Sequence, residues 1–227
     1  YPKRIQGPTR RIAQRKMGFS IPKRGMIIKA RKIHSDRRMN MGKVILGLTV
    51  SLDGFVEDSN GSVNPLYADL DLLKEAEVMK ESILTTGAVV MSQKEYGMAE
   101  DPDWYVDYEY QVPIFVFTDK APEKHPKESD KVTIIFVTTG VADAILQAKA
   151  AAGEKDVNII GSAQTTPLCL KTGLVDELQV DIVPWFLRTG YRPFKDLDDV
   201  DIKLERIHLV GLPTGRTHIS YKVMNEK

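Results

Sequence analysis

The 227-residue chain is 42% hydrophobic and 28% charged, which is enough apolar material for one sizeable core, and no stretch approaches the roughly 18 apolar residues that span a bilayer. Its only cysteine, Cys169, excludes an internal disulfide, and its four histidines are too dispersed for a structural zinc site. The net charge of +1 conceals an asymmetry, because residues 1–40 hold 13 of the 32 Lys and Arg residues with Asp36 as the single acid, so this segment carries +12 and the remainder −11.

The first 40 residues form a basic segment without a sustained apolar period, so they cannot bury enough surface to fold alone. We predict a disordered basic tail, a segment added by cloning, or translated upstream sequence. Residues 35–41 fit the last alternative, because they could be the translation of a purine-rich ribosome-binding site that precedes a start codon at Met41. A basic arm for nucleic acid or an acidic surface is the functional alternative. The folded domain is therefore expected to occupy residues 41–227.

The first half of that domain begins with an apolar, β-branched run at residues 44–50, which predicts a strand buried on both faces. A loop over residues 51–65 contains glycines and a proline, and a helix is predicted from about 68 to 85. One apolar stripe supports this helix, formed by Leu72, Ala76, Met79 and Ile83. A short strand follows at 88–91, and the acidic, aromatic stretch 97–112 is predicted to be a loop or a short helix.

The second half continues the alternation of strands and helices. Strands are predicted at 113–117, 132–137, 157–160 and 176–183, with helices at 141–152 and from about 165 to 173. Residues 202–210 and 217–223 flank a Gly- and Pro-containing turn and predict a terminal antiparallel hairpin. The pattern indicates an α/β fold with a mixed, mostly parallel sheet flanked by helices.

The strongest local motif follows the predicted strand at 157–160. Gly161, Ser162 and Ala163 are small, and Pro167 stands in the first turn of the next helix. Small residues allow a ligand to approach the backbone, and free N–H groups at a helix start favour a phosphate. An ordinary turn capped by Thr165 or Thr166 would explain the same residues. The chain contains no G-x-G-x-x-G, so a standard dinucleotide-binding half is not indicated.

Two aspartates are candidate ligand-facing carboxylates. Asp53 follows the first strand at its carboxyl end, where ligands of parallel sheets bind, although it could simply cap its own turn. Asp69 lies at the start of the long predicted helix, where the helix dipole favours an acid whatever the function.

Several motifs, taken in order, give the chain a family resemblance. They are S-L-D-G-F-V at 51–56, A-D-L at 68–70, A-V-V-M-S-Q-K-E-Y at 88–96, V-F-T-D at 116–119, I-I-G-S-A at 159–163, G-L-V-D-E-L at 173–178 and P-W-F-L-R-T-G-Y-R-P-F at 184–194. From Met41 to about Val223 the chain resembles the dihydrofolate-reductase-like family, most closely its branch shared with the C-terminal reductase domain of bacterial riboflavin biosynthesis protein.

The resemblance implies NADPH as the cofactor, with NADH as the alternative, lying across the strand ends. It implies cofactor contacts from Gly161, Ser162, Ala163, Gln164, Thr165, Ser92, Gln93, Lys94 and Thr118. Asp53 would face the substrate, and Asp69 aligns with the carboxylate that supplies or orders a proton. The chain departs from the family at 92–95, where Ser-Gln-Lys-Glu replaces the usual Gly-Arg-Lys-Thr, so the phosphate-gripping arginine is missing and Glu95 adds negative charge.

The function implied by the resemblance is a bacterial, cytoplasmic, homodimeric oxidoreductase without a metal. It would reduce a pterin- or pyrimidine-type heterocycle, as in riboflavin or folate metabolism, in the manner of a 5-amino-6-(5-phosphoribosylamino)uracil reductase. The alternative is a catalytically inactive binding or dimerisation protein with the same fold, favoured by the altered loop at 92–95 and by the bulky Trp185 and Arg188. Neither nucleic acid nor a membrane is expected as a partner, because the folded part is acidic.

Overall fold

The computed structural model describes residues 42–99 and 101–224, so the prediction made for residues 1–40 falls outside the described residues. Eight strands occur in the described part of the chain: β1 (Val44–Ser51), β2 (Thr86–Ser92), β3 (Ile114–Phe117), β4 (Ile134–Val137), β5 (Asp156–Ile160), β6 (Glu177–Val183), β7 (Lys203–Gly211) and β8 (Thr217–Met224). The same residues form five α-helices: α1 (Leu70–Lys74), α2 (Glu77–Thr85), α3 (Gln93–Tyr96), α4 (Val141–Ala152) and α5 (Thr165–Lys171).

All eight strands belong to one sheet, in the order β4-β3-β2-β5-β1-β6-β8-β7. The six strands from β4 to β6 run parallel, whereas β8 pairs antiparallel with both β6 and β7. The α/β fold predicted from the sequence, with a mostly parallel sheet and a terminal hairpin, is confirmed. The first strand lies in the middle of the sheet, between β5 and β6, which explains why its sequence is apolar almost throughout.

The period of two along β1 divides its side chains between the two faces of the sheet. Leu46 and Leu48 point into the larger core, which α4 and α5 cover with Ile145 and Leu170. Residues 45, 47 and 49 lie on the opposite face by the same alternation. A smaller core lies under the outer strands on that face, where β2 and β3 pack against the aromatic residues of the 96–110 segment. The second face therefore changes from apolar beneath β2–β4 to polar beneath β6 and β8.

The single helix predicted from 68 to 85 is wrong, because the structure contains two short helices separated at Ala76. Ala76 has an extended backbone, with φ −70° and ψ 140°, and it is buried together with Leu73. Leu72, assigned to the apolar stripe, is 63% exposed, whereas Met79 and Ile83 pack against the smaller core. Tertiary packing outweighs the helical periodicity here, as is usual for short helices.

No helix within residues 42–99 and 101–224 combines the length and apolar character needed to cross a membrane. Nor do the histidine, cysteine, aspartate and glutamate side chains of this part of the chain form any group of three or more that could hold a metal ion.

Candidate functional site

Parallel strands bring the predicted cofactor-contact residues to one edge of the sheet. Ser92 is the last residue of β2 and pairs with Phe117, so Thr118 follows directly at the end of β3. Gly161 follows the end of β5, the other neighbour of β2. The carboxyl ends of three adjacent strands therefore carry these residues, and ligands of open α/β sheets bind at such an edge.

The loop from Gly161 to Thr165 offers fewer free amides than its sequence indicates. The N–H of Gly161 donates to the carbonyl oxygen of Gly47 at 2.7 Å, and the N–H groups of Gln164 and Thr165 donate to Ser162 Oγ at 3.3 and 3.1 Å. Among the described residues, the N–H groups of Ser162 and Ala163 have no protein acceptor. Two adjacent amides are thus available to an anion, instead of the whole loop.

Glu95 joins the two predicted cofactor loops. Its Oε2 accepts from the backbone N–H of Ser92 at 2.7 Å, which completes a capping box for α3, and from the hydroxyl of Thr165 at 2.9 Å. The carboxylate is buried, and its Oε1 has no partner within the described residues. Thr165 is fully buried, so its side chain serves this link. The negative charge expected at this place is present, but it points inward and holds the loops together.

Lys94 is already paired. Its Nζ donates to Glu57 Oε2 at 2.5 Å, and Glu57 is only 1% exposed. The ammonium also lies 5.8 Å from the centre of the Tyr191 ring. Gln93 is exposed, whereas the Thr118 hydroxyl donates to the carbonyl of Lys120 at 3.0 Å. The positive charge of Lys94, a predicted cofactor contact, is therefore largely neutralised by the buried Glu57.

Asp53 organises the loop after β6. Its Oδ1 accepts from the Ser51 hydroxyl at 2.6 Å and the Leu187 N–H at 3.1 Å, and its Oδ2 accepts from the Arg188 N–H at 2.8 Å. Partial desolvation opposes these hydrogen bonds, but together they lower the pKa of Asp53 below its ordinary value. Arg188 has a positive φ of 67°, and Trp185 is exposed. The substrate-facing role of Asp53 stays a prediction, since the carboxylate is engaged in this loop.

Asp69 forms a two-point ion pair with Arg216, which directly precedes β8. Arg216 Nε donates to Asp69 Oδ2 at 2.8 Å, and its Nη2 donates to Asp69 Oδ1 and to the carbonyl of Leu66. Arg216 is 1% exposed, and its Nη1 has no hydrogen-bond partner in the described part of the chain. The hydrogen bond from Arg216 lowers the pKa of Asp69. The proton-relay role of Asp69 also stays a prediction, because the carboxylate is held by this pair.

A cavity of about 220 Å³ reaches Gly161 from the second face of the sheet. Its floor is made by the middle of β1 and β6, by the end of β5 and by His218 on β8. Its roof is made by α1, α2 and the aromatic segment, which contributes Tyr108 and Tyr110. Neither Asp53 nor Asp69 lines it. The aromatic segment thus covers a cavity beside the predicted cofactor loop with Tyr108 and Tyr110.

The cavity floor carries a hydrogen-bonded row that the sequence analysis missed. Asp181 on β6 and His218 on β8 are register partners, and His218 Nδ1 lies 2.7 Å from Asp181 Oδ1. His218 Nε2 lies 3.1 Å from Ser220 Oγ. The signal for this row is the alternation Glu177, Gln179, Asp181 within a strand whose other residues are apolar. A strand with every second residue polar predicts one polar face, which in the structure forms this floor.

Comparison with known proteins places these features in a family. The family model described as the RibD C-terminal domain matches residues 42–215. The YyaP protein of Bacillus subtilis (strain 168), described as uncharacterised, is 24% identical over 191 residues, covering 79% of this chain and 94% of that protein.

Two solved structures illustrate the shared fold. A crystal structure from Shewanella sp. PV-4, assigned as a riboflavin biosynthesis protein, has a TM-score of 0.61 at 21% identity, covering 81% of this chain and 99% of that one. The dihydrofolate reductase of Enterococcus faecalis, complexed with NADP(H) and RAB-propyl, has a TM-score of 0.53 at 14% identity, covering 82% and 98%. At these identities the likeness concerns the fold.

Proposed function

This chain belongs to the RibD C-terminal domain family, and from that membership we propose that it is an NADPH-dependent reductase of a pterin- or pyrimidine-type heterocycle. The observation that carries the proposal is the position of the Ser162 and Ala163 amides. Within residues 42–99 and 101–224 no protein acceptor meets them, and they follow Gly161, which lines the cavity on the second face of the sheet. A loop that could bind an anion through these two amides therefore adjoins the cavity at the end of β5.

The residues present fit a dinucleotide in part. Backbone amides at 162 and 163 would hold the diphosphate, Ser92, Gln93 and Lys94 would line its second side, and Thr118 would stand at its far end. The bound cofactor would supply the hydride, and the protein would position the ring and exclude water. Asp53 would hold the loop that closes this side of the site. NADH is the alternative cofactor, because the paired Lys94 leaves little positive charge for an additional phosphate.

A homodimer formed through β7 is part of the proposal. This strand is the edge of the sheet, and nearly all of its nine residues are exposed, including Leu204, Ile207 and Leu209. A long exposed edge strand presents unpaired backbone N–H and C=O groups that can pair with another chain. A second copy of the chain is the partner that this edge suits, because β7 carries both acidic and basic residues, Glu205 and Arg206 among them, that can pair with the opposite charge on a second copy.

The alternative function is a catalytically inactive binding or dimerisation protein of the same fold. It is favoured by the neutralised Lys94 and by the two carboxylates, Asp53 and Asp69, that are engaged by other protein groups. Both functions share the fold, so binding of the cofactor separates them.

The test is a titration of the full chain with NADPH and NADH, followed by intrinsic fluorescence and by melting temperature. The reductase proposal predicts saturable binding of at least one reduced cofactor below millimolar concentration. An unchanged signal at millimolar NADPH and NADH would favour the inactive alternative.

Glu95→Gln sharpens this titration. The substitution removes a buried negative charge beside the cofactor amides while keeping an oxygen that can accept from Ser92 and Thr165. Because like charges repel more strongly away from bulk water, we expect NADPH to bind several-fold more tightly. Glu75→Gln, an exposed acid between α1 and α2, is the matched control and should leave affinity unchanged. Equal affinities for Glu95→Gln and wild type would place the diphosphate elsewhere.

A further inference from the structure

The polar floor of the cavity beside Gly161 contains one carboxylate, that of Asp181, whose side-chain hydrogen-bond partner among the described residues is the imidazole of His218. Asp181 lines this cavity, its side chain is 20% exposed, and Oδ2 has no hydrogen-bond partner in the described part of the chain. Its neighbour Glu177 is bonded instead to Lys43 Nζ at 3.0 Å and to Gln179 at 2.9 Å. Glu109, the other acid lining the cavity, comes from the roof.

His218 fixes the direction of Asp181. The two residues face each other across antiparallel strands, so both side chains stand on the same face of the sheet. Because an ionised carboxylate only accepts, Nδ1 of His218 donates to Asp181 Oδ1, while Nε2 lies within hydrogen-bond distance of Ser220 Oγ. This row uses one acceptor position of the carboxylate. A carboxylate has about four such positions, so most remain for a ligand.

Resting on the proposed reductase function, we infer that Asp181 is the carboxylate that recognises the heterocycle, with His218 as its positioning residue. The chemistry selects a ring edge with two adjacent N–H donors, as in a protonated ring nitrogen next to an exocyclic amino group, so a basic ring such as 2,4-diaminopteridine takes up a proton from solvent when it binds. Such an edge matches the two oxygens of a carboxylate in a paired, charge-assisted geometry. Asp69, which the family resemblance assigns to the substrate, does not line the cavity and is engaged by Arg216.

The size of the cavity supports a ring without large substituents. Its volume of about 220 Å³ lies below the roughly 300–1,000 Å³ of sites for drug-sized ligands. Leu70, Leu73 and Met79 supply apolar surface above the ring, and Gly47 leaves space in the floor. The site therefore combines a flat apolar slot with one anionic edge.

The experiment measures binding of 2,4-diaminopteridine to the full chain by fluorescence, with lumazine as the comparison ring. Lumazine has carbonyl oxygens where the diamino compound has amino groups, so beside a ring N–H it would present oxygen lone pairs to the second oxygen of the carboxylate. Wild-type protein should bind the diamino ring at least tenfold more tightly. Asp181→Asn should remove at least tenfold of that affinity, while the exposed Asp130→Asn serves as the control and should change nothing.

Two His218 variants test positioning separately from folding. His218→Gln keeps a side-chain N–H that can donate to Asp181 and should retain affinity within about threefold, whereas His218→Phe keeps ring volume but no donor and should lose about tenfold. Melting temperatures of all variants identify any that are unfolded. If Glu109→Gln abolishes binding while folded Asp181→Asn does not, or if wild type does not bind the diamino ring, the inference is overturned.

The cofactor titration keeps this result independent of the proposed function. Binding of the diamino ring that depends on Asp181, without any NADPH or NADH binding, would uphold the ring site and refute the reductase. Cofactor binding together with ring binding that does not depend on Asp181 would support the reductase and refute the ring site.

Discussion

Arg216 connects the C-terminal hairpin to the segment before α1 through an ion pair and a hydrogen bond. Its guanidinium is buried, donates to Asp69 and to the Leu66 carbonyl, and lies 5.5 Å from the centre of the Tyr67 ring. Burial of a charge is costly unless it is paired. The pair with Asp69 therefore has a structural role whether or not Asp69 also takes part in catalysis.

Asp69→Asn should destabilise the protein by about 3–5 kcal/mol, because it leaves the buried Arg216 without its counter-charge. Urea unfolding at neutral pH measures this change. The matched control is Asp71→Asn, an exposed acid on α1, which should stay within about 0.5 kcal/mol of wild type. Equal midpoints for the two variants would show that Asp69 does not anchor Arg216.

The same pair predicts a pH dependence with a defined sign. The pKa of Asp69 is lowered from its ordinary value of 3.8 in the folded protein, so the folded state holds the charged form more firmly than the unfolded chain does. Its contribution is complete above that ordinary value and is lost as pH falls through the lower, folded-state pKa. Wild type should therefore lose more stability than Asp69→Asn as the pH falls below 4. Melting temperatures of the two proteins over this pH range measure the difference.

At the scale of elements, the junction between β5 and α5 depends on a close approach of two backbones. A Cβ on Gly161 would lie 2.7 Å from the carbonyl oxygen of Gly47, whereas a Cβ on Gly47 would meet nothing closer than Asn158 Oδ1 at 3.6 Å. Gly161 directly follows Ile160, the register partner of Gly47, and the two glycines differ in what they tolerate. Glycine at position 161 is thus needed for packing against β1, in addition to leaving the backbone accessible to a ligand.

Gly161→Ala should destabilise the fold by about 1–3 kcal/mol, because the clash is with backbone that cannot move aside. Gly47→Ala should change stability by no more than about 1 kcal/mol, while its methyl group enters the cavity and weakens binding of 2,4-diaminopteridine. Unfolding midpoints and affinities for 2,4-diaminopteridine, measured on both variants, test whether Gly161→Ala mainly lowers stability and Gly47→Ala mainly lowers ring binding. Equal destabilisation by the two alanines would contradict this prediction.

Elements with strong periodicity were predictable from the sequence, and those shaped by distant contacts were not. Helix α4 and the strands around it were predicted nearly to the residue, because an apolar stripe ends at Gly153 there. The break at Ala76 was missed because it depends on tertiary packing. The cavity floor was missed for a similar reason, since Asp181 and His218 are 37 residues apart and only strand pairing brings them together.

At the scale of the whole molecule, the exposed β7 edge predicts the oligomeric state. Light scattering after size exclusion should give the mass of a dimer for wild type and of a monomer for Leu209→Arg, since a buried arginine without a partner is costly. Leu146→Arg on α4, at a similarly exposed leucine, is the control and should remain dimeric. A monomeric wild type would exclude the proposed interface.

The central place of β1 has a consequence for synthesis of the protein. This apolar strand is made well before its two neighbours, β5 and β6, which pair with it across more than 100 residues of chain. Contacts of such long range slow folding, and an apolar strand whose partners have not yet been made can aggregate with other chains. During translation Val44–Ser51 leaves the ribosome well before either partner strand exists, so protection by a chaperone would matter most in that interval.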